Sequence, residues 1–305
     1  MYLLLLLVPL FWGGVFGAAK HVITEIPPVT AAALRFGLAG LLLAALTLIR
    51  SEWNWEALKK RWMGLLAMSF MGIFAYNAFF FWGLAHTSAI NGSLIMATSP
   101  VFITLGAVLF LKESWNRWLA VSLLLSLIGV LLVITQGSLA TFASFSFNVG
   151  DLLFIGALCC WVGYGLIGKV VMRGVSPLFT TAITTVAGFF FLAIGSLFEH
   201  GWGLVSAMSV QSWLEMVYMT VFATVLAFFL WNQGVSQIGA SNTSMYMNLV
   251  PINAAWIAVV FYGSSITMRQ VFGMVLVIAG VFLMTRGNRL MAAKQKQRDL
   301  DTFGT

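Results

Sequence analysis

The side chains here that could do chemistry are mostly uncharged, and their spacing points to recognition rather than bond making. Asn242, Tyr246, Leu249 and Asn253 stand at i, i+4, i+7 and i+11, one face of a regular helix. Asn91, Ile95, Thr98 and Phe102 hold the matching places in the first half of the chain. Each stripe runs alongside a proline, Pro100 or Pro251. Proline inside a helix removes an N–H donor and frees a carbonyl, which can bind a solute or permit bending. Amides and hydroxyls in apolar surroundings need partners, on a neighbouring helix or on a bound molecule. Trp12 and Trp161 fall near the middle of two apolar runs, too deep to be interfacial anchors. Tyr76, Asn77, Met96, Tyr164 and Asn248 complete a candidate lining. Flat aromatic walls with a few amides suit a neutral or zwitterionic solute with an apolar part.

Charged candidates are scarce. Arg35, Asp151 and Glu215 lie within a turn or two of predicted segment ends, with Arg35 the deepest. They are candidates for a coupling or mouth charge, or for contacts between helices. A charge at the bilayer centre costs about 2.5–3.5 kcal/mol on insertion scales, and no predicted midplane position carries one. Exchange or facilitated diffusion is therefore as open as proton coupling. The chain has no phosphate-binding Walker loop, no His-Glu metal motif and no Gly-x-Ser-x-Gly. No enzyme activity, metal or cofactor is expected. Cys159 and Cys160 are adjacent within an apolar run and read as packing residues, as do Gly13 and Gly17 at small-xxx-small spacing.

The elements that must position these residues follow from composition. Of 305 residues, 61% are hydrophobic and 8% charged. A soluble domain is about 25% charged and could not cover such a core. Ten apolar runs are long enough to span a bilayer: Leu3–Lys20, Val29–Ile49, Met63–Leu84, Ala89–Leu111, Trp118–Thr135, Val149–Val170, Pro177–Phe198, Trp213–Ser236, Ser241–Tyr262 and Thr267–Thr285. The first lacks the basic start and cleavage site of a removable signal. The fold class is thus an all-α, polytopic membrane protein with ten transmembrane helices. The net charge of +7 is spread over short connections and the last residues, without a basic face that would engage nucleic acid. Arg50, Lys59, Lys60, Arg61, Lys112, Arg117, Lys169, Arg173, Arg286 and the tail cations fall on one side, and Lys20, Arg35 and Arg269 on the other. The positive-inside rule then puts both termini in the cytoplasm.

The chain also repeats itself. Phe11-Trp12-Gly13 with Lys20 recurs as Cys160-Trp161-Val162-Gly163 with Lys169. Pro28 recurs at Pro177, and Ala78-Phe79-Phe80-Phe81-Trp82 as Ala227-Phe228-Phe229-Leu230-Trp231. Ala89-Ile90-Asn91-Gly92-Ser93 recurs as Ala240-Ser241-Asn242-Thr243-Ser244. Two five-helix units, residues 3–135 and 149–287, would flank an extracytoplasmic linker at 136–148 and precede a basic cytoplasmic tail at 288–305. An odd number of spans per unit makes the repeat inverted, an architecture of secondary transporters and of some channels.

On these residues the sequence resembles the drug/metabolite transporter superfamily, in particular its EamA-type ten-helix members. Further carriers are Pro27-Pro28, Ala33-Leu34-Arg35-Phe36, the stretch from Ala89 to Pro100, Leu111-Lys112-Glu113 and the stretch from Ala240 to Pro251. The second half departs from the pattern, with Gly263-Ser264 where the first has Lys112-Glu113. The resemblance implies a bacterial inner-membrane transporter with a cavity between helices one, three, four, six, eight and nine, usually working as an exporter. The expected partners are the lipid bilayer and a small-molecule substrate, such as an amino acid, in a monomer or weak homo-oligomer. A small-multidrug efflux carrier and a passive channel or facilitator remain the alternatives.

Overall fold

A backbone in lipid must satisfy its own N–H and C=O groups, and a helix does so within one segment. The chain is accordingly helical almost throughout, with no strand among the described residues. The structure is a computed structural model that describes residues 1–87, 89–135, 138, 148–262 and 266–303. Side chains are described for all of these except 89, 90, 258, 261, 262 and 288–303.

Among the described residues, nine helices are long and apolar enough to cross a membrane. The first eight are α1 (Leu4–Val22), α2 (Pro28–Ile49), α3 (Trp55–His86), α4 (Asn91–Leu111), α5 (Arg117–Ile134), α6 (Val149–Val171), α7 (Pro177–Leu197) and α8 (Val210–Ile238). Next, α9 (240–262) makes a further crossing in three pieces, Ala240–Ser244, Met245–Leu249 and Val250–Tyr262. Last is α10 (Met268–Phe303), whose apolar part is Met268–Gly287.

Local chemistry sets the starts. Asn54, Asn116, Ser176 and Ser209 cap α3, α5, α7 and α8, each accepting a backbone N–H from three residues on. Asn148 and Asp151 form a reciprocal capping box at α6. Pro28 and Pro177 stand in the first turns of α2 and α7, where no N–H is missed. Leu41, Leu109, Phe110, Leu124, Phe190 and Phe282 point outward and are exposed. A collar of this size needs lipid, not water, as its solvent.

Counterpart helices pack on one another, α2 along α7 and α5 along α10. α3 lies on α6, and α1 fits between α8 and α9. Gly13 makes the last approach possible, since a Cβ there would come within 2.8 Å of the Asn253 Cβ. The face that carries the start of α1 and the end of α10 is called the terminal face below, and the other the distal face.

Several helices depart from regular α geometry near mid-span. α1 breaks at Gly14. α4 breaks between its pieces Ala89–Met96 and Ser99–Leu111. α3 and α8 widen into π turns at Ser69–Ala75 and Val221–Leu226, and α9 tightens into a 3-10 segment at Met245–Leu249. The last of these corrects the expected polar stripe. A 3-10 turn advances about 20° per residue further than an α-turn, so five such residues rotate the register by roughly 100°. Asn242, Tyr246 and Asn253 therefore do not share one face. Nor is Met247 left with a free carbonyl by Pro251, because the Val250 N–H bonds to it.

Two more expectations meet the structure. α3 begins at Trp55 rather than Met63, so Glu56, Lys59, Lys60 and Arg61 form its wet first turns. The basic tail is continuous with α10 to Phe303, consistent with a run of Ala, Lys, Gln, Arg and Leu that favours helix. Most of the predicted linker at 136–148, and Gly263-Ser264, lie outside the described residues.

Candidate functional site

The mid-bundle breaks enclose a cavity. It lies between α1, α2, α3, α4, α6, α8 and α9, and it contains Trp12, Arg35, Tyr76, Asn77, Met96, Pro100, Trp161, Asn248 and Pro251 from the sequence-derived candidates. Its volume is about 70 Å³. On α2 and α4 the lining residues, Arg35 and Ser93 to Pro100, belong to the distal half. Toward the terminal face the bundle is filled by the buried Leu5, Val8, Trp231 and Met245.

Trp161 is the hub of the aromatic wall. Its ring centroid lies 5.3 Å from Trp12, 5.2 Å from Tyr76, 5.4 Å from Tyr164 and 5.0 Å from Trp231. The Trp12–Trp161 contact is edge-to-face at 82°, a favoured geometry for ring quadrupoles. Trp161 Nε1 donates to Met247 Sδ, and Trp12 Nε1 to the Ala223 carbonyl at 2.9 Å. Ala223 sits in the π turn of α8. Wide turns of this kind often mark functional sites.

Arg35 reaches the same turn. Its Nε donates to Thr224 Oγ1 at 2.7 Å and its Nη2 approaches the Ala223 carbonyl at 3.4 Å. Thr224 in turn donates to Met219 O, five residues back. Asn77 donates to Ile73 O at 2.8 Å. The Asn248 amide is 3% exposed and has no hydrogen-bond partner among the described residues.

The remaining candidates lie elsewhere. Tyr164 is buried behind Trp161 and accepts a bond from Asn232 Nδ2 at 2.7 Å. Asn242 lines a recess on the terminal face with Glu113 and Lys169. Tyr246 lines an apolar groove with Tyr2, Leu6 and Phe282. Asn253 bonds to Leu249 O beside Gly13, and Asn91 is not among the cavity residues. Asp151 is fully buried and accepts from Thr87 Oγ1 and the Asn148 N–H, so it works as a cap. Glu215 pairs with His21 at 2.7 Å. Sequence reasoning missed Phe16, Ser93, Met247 and two residues of the recurring aromatic motif, Phe80 and Phe228, as cavity residues. It also missed Asn232, a lone amide in an apolar run that bonds to both Tyr164 and Thr181.

Carboxylates lie at the bundle ends and stitch distant segments together. Glu113 of the first half accepts from Ala240 N, Ser241 N and Ser241 Oγ at the start of α9, at 3.0, 3.3 and 2.6 Å. Gly239, at φ +91°, is the one residue type that fits there, since a Cβ would fall 2.8 Å from Glu113 Oε1. Lys169 Nζ donates to the Ser236 carbonyl nearby. Ser176 Oγ bonds to Glu52. On the distal face Glu199 accepts from Val29 N, Thr30 N and Thr30 Oγ1 at the start of α2. Glu25 accepts from the hydroxyl and N–H of Ser209, and those bonds hold its carboxyl below the ordinary value of 4.5. An anion at a helix N-terminus meets free N–H groups and the positive end of the dipole.

The chain resembles known proteins along nearly its whole length. Residues 1–135 and 148–286 match the EamA-like transporter family. The uncharacterized transporter YyaM of Bacillus subtilis is 36% identical over 92% of each chain. A second, YetK of the same organism, is 26% identical over 87% of this chain and 80% of its own. The uncharacterized inner membrane transporter YhbE of Escherichia coli is 28% identical over 56% of this chain and 54% of its own. One crystal structure superposes with a TM-score of 0.78, covering 94% of this chain and 98% of that one; at 18% identity it supports the fold alone.

Proposed function

Since the chain belongs to the EamA-like transporter family, we propose that it is a secondary transporter that exports amino acids or related amphipathic metabolites by alternating access. The observation that carries this reading is the placement of the cavity. It lies in the membrane-spanning bundle, it holds a buried amide without a partner among the described residues, and a filled core and trans contacts close it toward the terminal face. A closed side and a distal recess are what one state of an alternating-access cycle requires. The aromatic walls offer an apolar solute area without demanding a fixed shape.

The cation-rich terminal face is the cytoplasmic one in this reading, so both termini are cytoplasmic and the membrane is the bacterial inner membrane. The name of YhbE supports that location. The two matched segments, joined at 136–148, act as rocking halves. The protein works as a monomer or weak homo-oligomer, without enzyme activity or nucleic-acid partner. One observation favours small-multidrug efflux as a second reading: Trp12, Tyr76 and Trp161 rings can receive a lipophilic cation.

Reconstituted protein tested with labelled amino acids and cationic dyes, with and without a pH gradient, separates these readings. Saturable uptake with counterflow of an amino acid is the expected result. Non-saturating flux without counterflow would instead establish a passive channel.

A further inference from the structure

Resting on the transporter reading, we propose that Arg35 is the anion-binding residue of the cavity and that the transported solute presents a single carboxylate to it. Arg35 begins α2's third turn, about 10 Å along the helix from Pro28 at 1.5 Å per residue. It is 4% exposed and lines the cavity. Its Nε is used by Thr224 and its Nη2 is at the limit of reach of the Ala223 carbonyl, while Nη1 has no partner among the described residues. No ion pair to Arg35 forms among those residues, and no carboxylate among them lines the cavity. Its further contact is the face of Phe36, 5.1 Å from the guanidinium carbon.

A guanidinium does not shed its proton, so the charge stays. A buried charge without a counter-ion is strongly unfavourable, and intramembrane charges that persist mark solute or ion pathways. At the bundle ends Glu25, Glu113, Asp151, Glu199 and Glu215 are already engaged by N–H, hydroxyl or imidazole groups. The geometry assigns the anion to the solute, which shares the cavity with the guanidinium. The remaining guanidinium edge offers planar, paired N–H donors, the geometry that a carboxylate matches. Charge count favours a monoanionic group over a phosphate dianion, which would leave net negative charge against an otherwise apolar wall. Asn248, buried and without a partner among the described residues, supplies a second polar contact on the cavity wall. Asn77 spends its N–H on Ile73 O, which leaves its carbonyl oxygen to accept from an ammonium. The cavity thus reads a carboxylate, tolerates an amino group and packs an apolar side chain on Trp12, Tyr76 and Trp161.

The test uses purified full-length protein and matched pairs of probes: leucine, phenylalanine and serine, their carboxamides, and the amino-free acids 4-methylpentanoate and 3-phenylpropanoate. Thermal stabilisation reports binding, and counterflow in proteoliposomes reports transport. At least one carboxylate is expected to stabilise the protein, with its carboxamide weaker by about tenfold or more. Arg35→Gln should erase that discrimination, and Arg35→Lys should retain part of it, because the charge persists without the fork. Should Arg35→Gln fail to fold, the paired comparison in the unaltered protein still decides. Equal responses to acids and carboxamides, a preference for cationic dyes, or no response to any acid overturns the proposal. Counterflow of a solute lacking a carboxylate would do so while leaving the transporter reading intact. Leak of every probe without counterflow would end the transporter reading as well.

Discussion

The ends of the bundle and its middle treat polar groups in opposite ways. At the ends, Glu25, Glu113, Asp151 and Glu199 each accept hydrogen bonds from a helix start or the residues beside it. In the middle, among the described residues, Asn248 has no hydrogen-bond partner, and Arg35 has only part of its set and no counter-ion. Both groups are rare in this apolar chain and costly to bury. The difference teaches that carboxylates at the ends close their bonds within the protein, whereas Arg35 and Asn248 at the cavity leave donors unspent among the described residues.

Four measurements sharpen or break that division. Trp161, in the middle, has a cavity face and several buried ring contacts. Trp161→Ala should cost about 3–5 kcal/mol in unfolding by a denaturing detergent and abolish transport. Stability within error of the unaltered protein would mean the ring serves the solute alone. Glu113→Gln weakens the acceptor of three donors at a half-buried site and should cost about 1–2 kcal/mol. In a background with Cys159 and Cys160 replaced, a cysteine at Asn242 should then label faster, since the start of α9 is freed. Unchanged labelling would show that this stitch does not hold the terminal face shut.

Asn248→Leu removes a buried amide that bonds to none of the described residues, so stability should stay within about 0.5 kcal/mol or rise. Transport should fall at the same time, and a clear loss of stability would move Asn248 among the stitches. The smallest effect concerns Glu25. Its carboxyl is depressed by bonds from Ser209, so the contact is complete above the ordinary carboxylate value and is lost as pH falls through the lower, folded value. Protection of the Ser209 amide, measured relative to its intrinsic exchange rate at each pH, should fall in acid, and Glu25→Gln should remove that change in protection.

Some of the division was legible beforehand. Trp12 and Trp161 were paired by the repeat and do meet, because counterpart helices share the bundle centre. The spans read from hydropathy at Val149 and Pro177 begin where α6 and α7 begin. Arg35 stood out as the deepest charge, but its neighbours Ala223 and Thr224 lie in the other half and in a π turn that no local pattern announced. The Asn242–Asn253 stripe assumed an unbroken α-helix and failed at Met245–Leu249, which turned Asn248 inward instead.

By itself, then, the sequence determined where the chain crosses lipid, where most helices begin and how few charges stand inside. Those are demands that the solvent places on each short segment separately. The tertiary structure decided which polar groups are satisfied and which face the cavity. That depends on contacts between residues far apart in the chain, and on local winding that turns a side chain by a large part of a circle.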